Sequence, residues 1–249
     1  MNVFLTRFVA PILLAGSLLA TGAPASAAPR YKTNLPPSAE LTYSIKAKQK
    51  GIPVEGAAIM RWVTDARTFS ATNEASAMLV GKILDARTEG DIDAWGLAPR
   101  SFTEKRRRRE ATTTTFDRDA GVIRFTASDQ TYPIKGGEQD RNSAIWQLIA
   151  VARATPAKFK PGSSWAFFVA GRRDAEPWTF KVIKREKLST PLGELDTVHI
   201  ERAAQPDSQD QHLDIWLAPS LEWYPARLRF REDDGDYIEQ TLQKVAKPS

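Results

Sequence analysis

Apolar and polar residues alternate along most of this chain, in short runs set apart by turn-forming clusters. Leu41, Tyr43, Ile45 and Ala47 take every second position, with Glu40, Thr42, Ser44 and Lys46 between them. A period of two puts each set on one face of an extended chain, so this run predicts a half-buried strand. The pattern returns at 59–63 and 68–72, and Thr64-Asp65-Ala66-Arg67 between them reads as a hairpin turn. Further strands are expected at 78–85, 87–93, 165–170, 178–187, 195–202, 213–217, 226–231 and 237–245. Thr190-Pro191-Leu192-Gly193 and Asp233-Asp234-Gly235-Asp236 supply turns among the later ones. Trp95-Gly96-Leu97-Ala98-Pro99 reads as a bend, because Gly and Pro interrupt a ladder. After it, 101–116 and 122–125 flank Asp117-Arg118-Asp119-Ala120-Gly121 as a hairpin. Its first strand is basic at Lys105-Arg106-Arg107-Arg108-Arg109 and then runs through four Thr, which favour strand over helix.

One segment breaks the period. Over 140–154, Ala144, Ile145, Leu148, Ile149 and Ala152 recur at helical spacing, with Asp140 able to cap and Pro156 to stop the helix. The pattern as a whole predicts a mainly β fold: a curled antiparallel sheet or half-barrel of roughly a dozen strands, with one firm helix packed on it.

The first 27 residues read as a cleavable export signal rather than as part of that fold. Arg7 precedes the apolar run from Phe8 to Ala20, and Ala25-Ser26-Ala27 offers the small residues a signal peptidase reads. The run is shorter than the about 18 apolar residues a span needs, so no transmembrane span is expected in the mature chain. The expected location is the periplasm. Residues 28–39 are Pro-rich and aperiodic and read as a linker, leaving 40–246 as a single β-rich domain. The formal net charge of +5 becomes +4 once the segment carrying Arg7 is removed; in an exported chain that charge aids solubility, or it meets anionic envelope components rather than nucleic acid.

Composition removes most chemistry. With no Cys there are no disulfides, thiolate sites or Cys nucleophiles, and two His make a multi-histidine metal site untenable. No Gly-x-Ser-x-Gly elbow exists. His212 and Asp214 lie two apart in an expected strand and so share a face, but with no nucleophile they read as its polar side. His199 reads as a hydrogen-bonded structural residue. Asp233, Asp234 and Asp236 around Gly235 read as a turn, since the spaced oxygens of a calcium loop are missing. No catalytic residue, metal site or cofactor is implied.

Two resources remain. Trp62, Trp165, Trp178 and Trp216 fall in expected strands, where core packing is the default reading. The alternative is a concave apolar surface, and the bends at 95–99 and 216–225 nominate Trp95, Trp216 and Trp223 for one rim of it. The other resource is the basic run. In a strand, Arg106 and Arg108 point one way and Lys105, Arg107 and Arg109 the other. The run therefore protects an exposed edge, or Arg107 and Arg109 offer guanidinium forks to phosphates.

Several phrases in order resemble a known family. They are Gly96-Leu97-Ala98-Pro99-Arg100-Ser101-Phe102, Gln139-Asp140-Arg141-Asn142-Ser143-Ala144, Thr190-Pro191-Leu192-Gly193-Glu194-Leu195-Asp196-Thr197, and Ile215-Trp216-Leu217-Ala218-Pro219 followed by Tyr224-Pro225-Ala226-Arg227-Leu228 and Asp234-Gly235. The set resembles DUF3108, exported bacterial proteins of uncharacterised function, across about residues 36 to 245. The resemblance implies a Gram-negative envelope location and a β-rich fold, and it brings no catalytic residues with it. The strand pattern is also similar in architecture to the curled half-barrels of periplasmic lipoprotein carriers. The reading is a non-enzymatic envelope protein that binds an amphiphile or envelope component on a concave sheet. Its partners would be lipid, lipopolysaccharide or an envelope protein. A structural or assembly factor without a small-molecule site is the alternative, and an envelope hydrolase comes last.

Overall fold

The computed structural model of the protein describes residues 29–65, 67–202, 212–232 and 235–248. The export segment at 1–27 and the Asp233-Asp234 corner expected in the last hairpin lie outside the described residues. Of the nine strands that precede the helix among the described residues, the first eight are β1 (Ala39–Gln49), β2 (Ile52–Thr64), β3 (Thr68–Ala77), β4 (Gly81–Asp93), β5 (Gly96–Arg106), β6 (Thr112–Asp117), β7 (Val122–Phe125) and β8 (Ser128–Pro133). A two-residue β9 (Gln139–Asp140) leads into α1 (Ser143–Ala154). Then follow β10 (Ser164–Ala170), β11 (Ala175–Thr190), β12 (Gly193–Arg202), β13 (His212–Leu217), β14 (Pro225–Arg231) and β15 (Tyr237–Ala246).

All fifteen strands form one sheet, in the order β8 through β1, then β15 through β9. Neighbours are antiparallel except β9 with β10. The first and last strands therefore pair in the middle of the sheet, with Leu41 opposite Val245 and Ala47 opposite Ile238. The sheet's two edges, β8 and β9, come from the centre of the chain. They curl toward each other and meet through side chains. Phe116, Ile123 and Phe125 pack with Ala170 and Ala175 across that seam. The Thr114 hydroxyl donates to the Gly171 carbonyl there at 2.8 Å.

The alternation seen in sequence becomes the inside and outside of the curl. Leu41, Tyr43, Ile45 and Ala47 are all buried. The Tyr43 hydroxyl donates to the Pro225 carbonyl at 2.9 Å, and burial pushes its pKa well above the usual phenol range. The helix sits inside the curl, not on its outside. Every residue from Ser143 to Ala152 is buried, including positions off the apolar stripe such as Trp146 and Gln147. Trp146 stacks on Trp62 at 4.9 Å, and Trp62 stacks on Phe69 at 5.5 Å. This column of rings ties α1 to β2 and β3 and fills the interior.

Asp140 organises the start of α1, although Asn142 is the geometric N-cap. Its Oδ1 accepts from the amides of Asn142 (2.8 Å) and Ser143 (2.9 Å) and from the Thr88 hydroxyl (2.8 Å). In return, the Asp140 amide donates to the Ser143 hydroxyl at 2.9 Å. Thr155 closes the other end, its amide and hydroxyl both donating to the Val151 carbonyl, and Pro156 prevents another turn. Residues 29–38, expected as a linker, form no strand but are fastened to the core. Pro36 and Pro37 carbonyls accept from the Trp62 indole (3.0 Å) and the Tyr224 hydroxyl (2.7 Å).

Three local expectations are corrected. Residues 78–80 are an exposed turn, and one strand, β4, replaces the two expected at 78–85 and 87–93. The expected bend at 95–99 is confined to the turn before Gly96. Pro99 remains in β5, opposite Gly90 and beside a bulge in the β4–β5 ladder. The basic run leaves the strand at Arg106, so Arg107, Arg108 and Arg109 form a turn with Arg108 at φ 58°.

Candidate functional site

The seam between the sheet edges holds a concavity. It begins with Trp95, in the turn between β4 and β5, whose amide donates to Asp93 Oδ1 at 2.7 Å. The indole lies flat on the backbone of Gly136 and Gly137. A Cβ at Gly136, which has φ +106°, would stand 2.7 Å from that ring. Only glycine tolerates both the contact and the backbone conformation. The Arg30 guanidinium carbon lies 5.7 Å from the centre of the same ring. Below it, Gln147 of α1 donates to the Trp95 carbonyl (2.7 Å) and accepts from the Leu97 amide (2.9 Å). A buried polar residue on an otherwise apolar helix thus holds the turn in place.

Beside Trp95 lies a cavity of about 320 Å³. Tyr31, Trp95, Phe167, Phe168, Pro133 and Pro177 form its apolar walls. Tyr31 meets Phe167 edge-on at 5.7 Å and accepts from the Ala166 amide at 3.1 Å, covering part of the free edge of β10. Glu138, Lys135 and Gln147 bring polar groups to the lining. The buried Glu138 carboxylate accepts from the Lys135 and Gly136 amides, which fixes the loop that carries Lys135. Aromatic walls with few, fixed polar groups suit a ligand that has an apolar body and a polar end.

Of the three tryptophans nominated from sequence, Trp95 alone lines this cavity. Trp216 lies in the polar network described next, and Trp223 is buried at φ 64° against Phe159, 5.5 Å away. Tyr31, Gln147 and Glu138 were missed. The signals for them were a polar residue inside an apolar helix and the Gly136-Gly137 pair.

An Asp–His pair exists, but with the other histidine. His199 Nε2 and Asp214 Oδ1 are 2.9 Å apart across β12 and β13, while His212 Nδ1 lies 4.0 Å from Glu201. Arg231 donates to Asp214 Oδ2 at 2.7 Å. Trp216 stacks on His199 at 4.3 Å and donates to Glu186 at 2.8 Å. Burial opposes the charge on Asp214, yet the bonds from His199 and Arg231 prevail and hold its carboxyl below the usual range. Among the described residues no hydroxyl bonds to His199, so the network ties β11 to β14 and lacks a nucleophile. Asp236 accepts from the Lys50 and Gly51 amides and so braces the turn between β1 and β2.

A family model described as "Protein of unknown function (DUF3108)" matches residues 41–243. No curated protein sequence matches the chain. Among solved structures, the chain is similar to a β-barrel-like protein of the domain of unknown function DUF1849 from Brucella abortus. The TM-score is 0.58 at 12% identity, over 87% of this chain and 100% of that one, and the likeness is one of fold. An exported protein with a YmcC-like fold from Bacteroides fragilis aligns at TM-score 0.40 and 8% identity, over 88% of this chain and 100% of its own. A domain from Vibrio parahaemolyticus described as outer membrane lipoprotein-sorting aligns at 0.29 and 8%, over 84% and 85%.

Proposed function

The chain belongs to DUF3108, a family of proteins of unknown function, and from that premise we propose that it is an exported envelope protein that binds an amphiphile in the seam cavity under Trp95. The observation that carries the reading is the cavity itself. Its volume falls within the range of about 300–1,000 Å³ that small-molecule sites occupy, and its walls are chiefly aromatic and proline side chains. The packed interior redirects the binding expected on the concave sheet, because α1 occupies that space. The apolar body would lie against Phe167 and Phe168, with the polar end toward Lys135 and Glu138.

Strand addition, the route open to an assembly factor, is less well supported. β8 is a six-residue edge that ends in Pro133, and such edges resist pairing.

Native mass spectrometry of the protein purified from envelopes tests the reading. The expected result is an adduct of amphiphile mass. Phe168→Asp should weaken its retention at least tenfold, about 1.4 kcal/mol, while moving the melting temperature little, since Phe168 is only partly buried. No adduct on the wild-type protein, or an adduct that Phe168→Asp retains in full, would overturn the proposal. Export carries its own test: intact mass should show a chain beginning at Ala28, and a species retaining Met1 would overturn it.

A further inference from the structure

Away from the cavity, the opposite end of the sheet carries the most exposed large apolar side chains among the described residues, beside a run of positive charge. In an antiparallel meander the β1–β2, β3–β4 and β5–β6 turns share one end, and the β4–β5 turn bearing Trp95 lies at the other. The three turns adjoin. The Met78 amide donates to the Glu55 carbonyl and the Arg107 amide to the Ile83 carbonyl, each at 2.9 Å. At the tip of the middle turn, Leu79 is 97% exposed and Met78 73%, with Ile52 on the neighbouring turn at 65%. Single exposed apolar residues are ordinary, but these gather on adjoining turns.

The cations beside them are uncompensated. Lys82 is paired with Glu74 and Asp85, and Arg106 with Glu104. Lys105, Arg107, Arg108 and Arg109 are exposed and make no ion pair among the described residues. Beyond the acids paired with Lys82 and Arg106, those nearby are Glu55, Glu110 and Asp236, the last turned onto the Lys50 and Gly51 amides, and they leave the rim positive. Behind it, burial lowers the pKa of Arg172, and repulsion from Arg106, Arg109 and Arg173 adds to that against the pull of Glu104. This end of the molecule holds more positive charge than its own acids satisfy. The charge does not protect a sheet edge, because β5 is paired on both sides, with β4 and β6.

We infer that this rim docks on an anionic phospholipid bilayer. Met78 and Leu79 enter the boundary below the headgroups, and Arg107, Arg108 and Arg109 engage the phosphates. Apolar tips ringed by cations match the layering of that surface, where an anionic plane overlies an apolar one. Guanidinium forks suit phosphate oxygens. A second copy of the chain is a poorer occupant, since it would bring one arginine-rich rim against another. The inference does not depend on the cavity having a ligand.

Vesicle co-sedimentation of the purified protein tests it. Vesicles of phosphatidylethanolamine and phosphatidylglycerol should retain the protein at low salt, and phosphatidylcholine vesicles should not. Raising salt to about 150 mM should weaken retention at least tenfold. The double variant Arg107→Glu with Arg109→Glu should weaken it at least tenfold at low salt, and Leu79→Asp several-fold. Melting temperatures should stay within about 2 °C of wild type, because all three side chains are exposed. Any one of four outcomes would overturn the inference: equal retention by phosphatidylcholine, retention unchanged in either variant, displacement by millimolar inorganic phosphate, or a soluble dimer that Leu79→Asp dissolves without vesicle binding.

Discussion

Leu148→Asp will destabilise the protein by more than about 4 kcal/mol, and at physiological temperature it will leave little folded chain. Leu148 has no solvent exposure, and it sits on a helix in which every residue from Ser143 to Ala152 is buried. On a helix lying over a sheet, an aspartate could swing its carboxylate out to water. Inside this curl there is no such exit, so the group must stay charged and unpaired, or take up a proton. Leu148→Met conserves volume and polarity, and should cost less than about 1.5 kcal/mol. Chemical denaturation of the two variants checks the pair. An aspartate variant as stable as the methionine one would mean that α1 is not enclosed.

Asp140→Ala is expected to cost about 3–5 kcal/mol, because it strands the Asn142 and Ser143 amides and the Thr88 hydroxyl in a buried site. Asp140→Asn keeps the accepting oxygen and separates charge from hydrogen bonding. Burial pushes the Asp140 carboxyl up to about 6 from 3.8, against the bonds from Ser143, Thr88 and Asn142 that pull it down. An acid whose pKa rises on folding holds its proton more tightly in the folded state. Its contribution is therefore most favourable below about pH 4 and is lost as pH rises through about 6. The stability of wild type minus that of Asp140→Asn should fall across that window and stay flat outside it. Denaturation at pH 4, 5, 6 and 7 measures this difference directly. A difference independent of pH would show that the carboxyl ionises as it does in the unfolded chain.

Strand positions were legible where burial follows the pleat, as at Leu41, Tyr43, Ile45 and Ala47, or at Leu213, Ile215 and Leu217. β8 escaped notice because Ser128–Pro133 has no buried face to impose a period. Met78-Leu79-Val80 misled in the opposite sense, having strand-like composition in a turn that faces outward. The enclosure of α1 could not be read from its apolar stripe. It depends on Trp146 meeting Trp62, which lies in a remote strand, and local periodicity carries no such information. The cavity was legible only at Trp95. Tyr31, Phe168 and Glu138 reach it from separate segments, which the curl of the sheet alone brings together. The histidine partnership was missed by one strand. Pairing between β12 and β13 decides it, and the two-residue spacing within β13 does not.

The union of β1 with β15 has a consequence for how the molecule assembles. Every other neighbouring pair in the sheet joins strands consecutive in the chain, and all of these but the parallel β9–β10 pair, which α1 connects, are antiparallel neighbours that can form locally. The β1–β15 ladder closes a loop of nearly the whole polypeptide and bears the largest entropic cost of any contact in the fold. β1 and β15 thus lie in the interior of the sheet and not at its edges. Joining the end of β15 to the start of β1 and opening the chain before β9 would put the strands in their spatial order along the chain, antiparallel throughout except at the β9–α1–β10 crossover, with the new termini at the seam beside the cavity.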